Sequence, residues 1–325
     1  MAINLLNLEP HKVSRDLSGY ITYIYGIPKV GKTTFGAQFP GALILAFERG
    51  YNALPGVMAQ DITTWGEFKQ VLRELKKPEV QAVYKSVIVD TVDVAASLCE
   101  KYICNQLGIE NIGDGGWSTN GWSKYKKEFE DSFRIITQLG YAVCFISHSA
   151  DKTFKRKDGT EYNQMVPTAQ RSVNEIIKGM ADIFACADIV NGERKLILRS
   201  LDGTVDTGCR FKYIEPEIPF TYNDLVDALN KAIDKEAAET SGKYVTNDRV
   251  SEVIAPTYDY DALMTEFQQI TGNLMRENPN NGPKITEIVD KYLGKGKKVS
   301  ETTRDQAEFV DLIVGEIKDT LCQKK

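Results

Sequence analysis

The sequence is poor in the residues that build metal centres and disulfide frameworks. It has two histidines and six cysteines among 325 residues, and no Cys-x-x-Cys pair. Cys99, Cys104, Cys144, Cys186, Cys209 and Cys322 are scattered, and Cys144 lies in the apolar run Val143-Cys144-Phe145. That distribution argues against a structural zinc and for buried free thiols in a reducing compartment. No apolar run approaches the ~18 residues of a membrane-spanning helix, and the N-terminus has no cleavable signal pattern. The expectation is a cytoplasmic protein without a membrane anchor. An excess of positive charge is also missing. The net charge is −5, so any affinity for nucleic acid must come from a local basic surface. What remains, 42% hydrophobic and 26% charged residues, suits a globular chain with one large and one smaller domain.

One stretch organises the rest. Gly26-Ile27-Pro28-Lys29-Val30-Gly31-Lys32-Thr33-Thr34 matches the phosphate-binding pattern Gly-x-x-x-x-Gly-Lys-[Ser/Thr] without a gap. Tyr20 to Tyr25 before it is aromatic and β-branched, and reads as a buried strand. Lys32 to Phe39 after it reads as a short helix stopped by Pro40-Gly41. Strand, glycine loop and helix are what polyphosphate binding requires. The loop turns successive N–H groups inward, and the helix start adds partial positive charge. Lys32 can reach the β- and γ-phosphates of ATP, and the Thr33 hydroxyl can join the Mg²⁺ shell.

Further candidates follow in chain order. Ala42 to Phe47 is a second strand, ending in Glu48 where open α/β sheets bind ligands. Glu48 is either the residue that orients the attacking water or a surface acid opening a loop. Trp65 to Lys77 has helical spacing. Ser86-Val87-Ile88-Val89-Asp90 reads as a strand whose closing aspartate holds the metal. Thr91, not a second acid, follows it, which shifts the demand for a water-orienting base to Glu48. Asp93 to Leu107 and Lys124 to Leu139 read as helices. Between them lies a glycine-rich loop, 108–122, carrying Trp117 and Trp122. These rings either stack on bases or fold back on the protein or onto a neighbouring subunit, and packing is preferred because large apolar surface is normally buried.

Tyr141 to His148 is another strand. His148 at its end is either a structural histidine or a γ-phosphate sensor. Lys152-Thr153-Phe154-Lys155-Arg156-Lys157-Asp158-Gly159 carries a hairpin-turn signal. Its cations (Lys152, Lys155, Arg156 and Lys157) with Phe154 and Tyr162 suit single-stranded DNA, or else form an ordinary solvated hairpin. Val173 to Ala187 reads as helix, 195–200 and 207–211 as strands around Asp202-Gly203, and Tyr222 to Ile233 as a helix capped by Thr221 and Asp224. The expected domains are 1–235, a linker at 236–257, and a helical module at 258–325.

This order of parts resembles the core of RecA-like recombinases, most of all the small recombinase-core ATPases of bacteriophages linked to single-strand annealing. The resemblance covers roughly residues 15–235 and implies a mostly parallel α/β sheet with helices on both faces, plus the C-terminal helical domain. It places the catalytic glutamate of that family at Glu48, within Phe47-Glu48 and before Tyr51-Asn52-Ala53-Leu54. It places the sensor, often glutamine there, at His148, and the two DNA-facing loops at 108–122 and 150–170. It also implies ATP and Mg²⁺ as cofactors, single-stranded DNA as ligand, homo-oligomers, and the host cytoplasm as location. A single-strand-binding or annealing protein is a further candidate partner. Where a neighbouring subunit completes the site with a cation, Arg171 is the candidate. The alternatives are an AAA-type helicase loader or motor, against which Thr91 argues, a small-molecule or nucleotide kinase, for which no arginine-rich lid is evident, and a nucleotide-gated scaffold that hydrolyses little.

Overall fold

The computed structural model describes Leu6, residues 8–249 and residues 258–322. The chain divides into two compact units, Met1–Val253 and Ile254–Lys325. In chain order the first unit comprises β1 (Val13–Ser14), β2 (Ile21–Gly26), α1 (Lys32–Ala37), β3 (Ala42–Ala46), β4 (Met58–Asp61), α2 (Trp65–Leu75), α3 (Pro78–Val83), β5 (Ser86–Asp90) and α4 (Val92–Leu107). It continues with α5 (Gly121–Gln138), β6 (Ala142–Lys155), β7 (Glu161–Pro167), α6 (Arg171–Met180), β8 (Ile183–Val190), β9 (Glu193–Ile197), β10 (Gly208–Cys209), β11 (Glu217–Pro219), α7 (Tyr222–Glu239) and β12 (Val245–Thr246).

The main sheet runs β11-β9-β8-β2-β6-β5-β3-β4. From β8 to β4 every neighbouring pair is parallel, while β9, β10 and β11 are antiparallel additions at one side. This is the mostly parallel α/β architecture expected. Alternation along each strand sorts side chains to two faces. Tyr23, Tyr25, Leu45, Val87, Val89, Val143 and Phe145 face a core shared with α2, α4, α5 and α6. Ile24, Ile44, Ile88, Cys144 and Ile146 face a second core, built with Phe35 of α1 and with Leu225, Leu229 and Ile233 of α7. Gly36 lets α1 lie close to the sheet, since a Cβ there would stand 2.6 Å from Ile88 Cγ2.

Local signals set several element ends. Thr64 and Glu67 form a capping box at the start of α2, a device worth about 1 kcal/mol. Thr221 Oγ1 accepts from the Asp224 N–H at the start of α7. The cysteines are free, with Cys99, Cys104, Cys144 and Cys186 buried. Burial pushes the Cys186 thiol up to about 12, which makes it inert rather than reactive.

Three sequence expectations need correction. Residues 183–187, read as the end of a helix, form β8. Its central position beside β2 buries Ile183, Ala185 and Ala187, so sheet pairing overrides the helical propensity of this segment. The strands around Asp202-Gly203 do not pair with each other. β9 pairs with β8 through the Asn191-Gly192 turn, and β10 pairs with the start of β8. The expected linker is partly structured, because α7 runs to Glu239 and β12 pairs in parallel with β1. For Trp117 the structure excludes only packing on its own chain. It is fully exposed, while Trp122 stays half exposed with its ring edge against Tyr125.

The second unit contains α8 (Tyr260–Glu277), α9 (Asn281–Leu293) and α10 (Ala307–Ile317). Leu274, Ile285, Ile288, Val289, Val310, Ile313, Val314 and Ile317 close a core of its own. No helix among the described residues is long and apolar enough to cross a membrane.

Candidate nucleotide site

The loop between β2 and α1 adopts a phosphate-binding shape. Lys29 (φ 65°) and Gly31 (φ 108°) both occupy the left-handed region, the kind of reversal that turns neighbouring N–H groups toward one point. No side chain caps the start of α1, and no acid stands in its first turn. Those amide donors are therefore left for an anion. Lys32 is buried, and its Nζ donates to the carbonyls of Gly26 (2.8 Å) and Ile27 (2.9 Å). Burial lowers its pKa, with Asp90, Asp93 and Glu48 opposing. A phosphate would replace two weak carbonyl acceptors with a charged one.

The acids come from neighbouring strands. β6 lies between β2 and β5, so Asp90 reaches the loop from two strands away. Even so, Thr33 Oγ1 donates to Asp90 Oδ2 at 2.6 Å across 57 positions of sequence. Asp90 is buried, and that burial raises its pKa, while the Thr33 hydrogen bond opposes the shift and the nearby Glu48 charge adds to it. A hydroxyl and a carboxylate converging on one point are hard oxygen donors of the type Mg²⁺ takes. Gly50 keeps that point open. A Cβ on Gly50 would stand 2.5 Å from Thr33 Oγ1 and 3.1 Å from Asp90 Oδ2. Gly50 escaped the sequence reading, because nothing local marks a glycine as facing a residue so distant in the chain.

Glu48 and His148 complete the wall. Glu48 follows β3, and its Oε2 lies 3.0 Å from His148 Nε2 and 3.5 Å from Thr91 Oγ1. His148 Nδ1 is buried without a partner. Loop residues Pro28, Lys29, Gly31, Lys32, Thr33 and Thr34 line one cavity of about 350 Å³ together with Glu48, Gly50, Ala53, Leu54, Asp90, Thr91 and His148.

Asp93, on the first turn of α4, was also missed. Its Oδ1 accepts from Ser147 Oγ (3.1 Å) and Thr168 Oγ1 (2.5 Å), and its Oδ2 accepts from the His148 N–H (3.3 Å). Thr168 N–H donates to the His148 carbonyl as well. The sequence showed only an acid opening a helix, an ordinary dipole partner.

The remaining candidates lie elsewhere. β6 leaves the sheet after His148 and pairs with β7 as an exposed hairpin, joining Lys152 to Gln164 and Phe154 to Tyr162. The Phe154 and Tyr162 rings pack at 5.7 Å, Arg156 covers Tyr162 at 4.7 Å, and Lys155 pairs with Glu161 at 3.2 Å. Arg171 is not among the residues lining the nucleotide cavity. It is exposed, pairs with Glu175, and lines a groove with Lys152, Phe154 and Lys178.

A strand–loop–helix cradle, a buried lysine and a carboxylate on the threonine that follows it define a P-loop ATPase. The chain belongs to the family described as AAA domain, which matches residues 18–215. It is similar to the SPbeta prophage-derived uncharacterized protein YorG of Bacillus subtilis (strain 168), at 31% identity over 333 residues, covering 99% of this chain and 100% of that protein. An AAA-type protein is the alternative against which Thr91, in place of a second acid after Asp90, argues in the sequence.

Proposed function

We propose that this protein is a phage ATPase that binds single-stranded DNA through the β6–β7 hairpin and couples that binding to its nucleotide state, in recombination or replication. One observation carries the reading. A single strand, β6, passes His148 beside the cavity and reaches Lys152, Phe154 and Lys155 without a break. A change at the nucleotide therefore has a short, stiff route to the basic hairpin.

In this reading the loop amides and Lys32 hold the phosphates, and Lys32 exchanges its carbonyl contacts for phosphate oxygens. Thr33 and Asp90 would hold Mg²⁺, which supplies neutralisation of phosphate charge when bound. Glu48 orients the attacking water, and His148 holds Glu48 and reports the state of the site. Lys152, Lys155, Arg156 and Lys157 meet DNA phosphates, and Phe154 and Tyr162 offer faces to bases. The resemblance to phage recombinase-core proteins and the prophage origin of the relative support the setting.

ATP turnover should rise when single-stranded DNA is added, and the rise should vanish in the variant with Lys155, Arg156 and Lys157 all changed to Ala. DNA affinity in that variant should fall, with a flatter dependence on salt. Glu48→Gln should retain ATP binding and lose hydrolysis by roughly a hundredfold or more. Unaltered DNA binding in the triple variant would return the hairpin to an ordinary solvated element. The AAA family match favours a second reading, a motor or loader acting on a protein. Turnover indifferent to DNA but raised by a replication protein would select it.

A further inference from the structure

We propose that Arg194 is a nucleotide-binding residue acting within its own chain, with its guanidinium taking phosphate oxygens on the flank of the loop opposite the acids. The proposal rests on the phosphate-loop reading and adds a group that no motif marks. Arg194 Nη1 lies 3.4 Å from the point where a Cβ on Gly31 would stand, and no other atom outside the adjoining residues comes within 4 Å of that point. The guanidinium is therefore set against the last loop residue before α1, just outside the residues that line the cavity.

Three further features support it. Arg194 is exposed, and its side chain has no ion pair or hydrogen bond among the described residues, while the adjacent Lys195 is paired with Glu193 at 2.6 Å. An unpaired arginine beside a polyanion cradle keeps its five donors free for phosphate. The backbone under it is fixed. Asn191 (φ 54°) and Gly192 (φ 82°) make the turn, Arg194 sits opposite Ile189 on β8, and its carbonyl accepts from the Phe220 N–H at 3.2 Å. The sheet order also separates the charges. Asp90 on β5, His148 on β6 and Glu48 just after β3 lie on one side of β2, whereas Arg194 belongs to β9 on the other. A triphosphate with its terminal group facing the acids must lead its inner phosphates away from them, toward Arg194.

Fluorescent ADP titrations and ATP kinetics on the full chain test this, with wild type, Arg194→Met, Arg194→Lys and Lys32→Ala compared. Arg194→Met should weaken ADP binding by roughly tenfold and raise KM for ATP with kcat nearly kept. Arg194→Lys should recover part of the loss, and the circular dichroism spectrum should stay that of wild type because the side chain is exposed. If wild type binds ADP and Arg194→Met binds it equally well, the inference falls and the loop reading stands. A lowered kcat at unchanged affinity would also overturn it, because it would mark a group reaching a neighbour's site. If wild type binds no nucleotide, or Lys32→Ala binds as wild type does, the loop reading itself falls and takes the inference with it.

Discussion

Asp90 carries a cost that the proposed metal-binding role would explain. Burial holds its carboxyl above the ordinary carboxylate range, so the folded protein binds this proton more tightly than the unfolded chain does. Stability from this group is therefore largest in acid and declines as pH rises through the raised value, leaving an ionised Asp90 as a net cost at pH 8. Asp90→Asn removes that charge. Without nucleotide or metal, the variant should melt at a higher temperature than wild type at pH 8, and the gap should close toward pH 4. The same substitution should abolish Mg²⁺-dependent turnover. Thermal unfolding across pH checks the first part, and a lower melting temperature at pH 8 would refute the cost assigned to the carboxylate. The asparagine, a weaker metal donor, would in effect trade activity for stability. Lys32 belongs to the same argument with the opposite sign, since burial lowers its pKa, and a bound triphosphate would favour its charged form.

At the scale of elements, the β6–β7 hairpin depends on its root. Asp93 gathers Ser147, His148 and Thr168, so the start of α4 ties the end of the buried part of β6 to the end of β7. Asp93→Ala removes both acceptor oxygens and leaves the His148 N–H and the Ser147 and Thr168 hydroxyls without them. A loss of about 1–3 kcal/mol in urea unfolding is expected, with basal ATP binding preserved and DNA stimulation reduced. An unchanged unfolding midpoint would show that the clasp adds nothing. The hairpin itself was legible, because Asp158-Gly159 is a turn signal between cationic and aromatic residues. Asn191-Gly192 carries an equally strong turn signal and was passed over. Residues 183–187 read as a continuation of α6, and only the slot between β2 and β9 makes them a strand. Short apolar runs take their type from their neighbours, which no local pattern records.

For the whole molecule, two units each close a core, one on both faces of the parallel sheet and one among α8, α9 and α10. Residues 1–253 expressed alone should fold and bind ATP within about twofold of the full chain, as a unit with its own core does. A truncated chain that is unfolded by circular dichroism would show that the second unit is needed for the first. The phosphate loop, the Thr221 cap of α7, the strand ending in Asp90 and the alternation that gives the sheet two buried faces are all written in the order of residues. These depend on neighbours a few positions away, through backbone geometry and periodic burial. The assembled fold alone sets β6 between β2 and β5, leaves room beside Thr33 and Asp90 through Gly50, has Asp93 clasp the hairpin root, and brings Arg194 beside Gly31. Strand order is set by which surfaces bury one another across the whole chain, so the residues it brings together carry no mark of their meeting until the sheet is assembled.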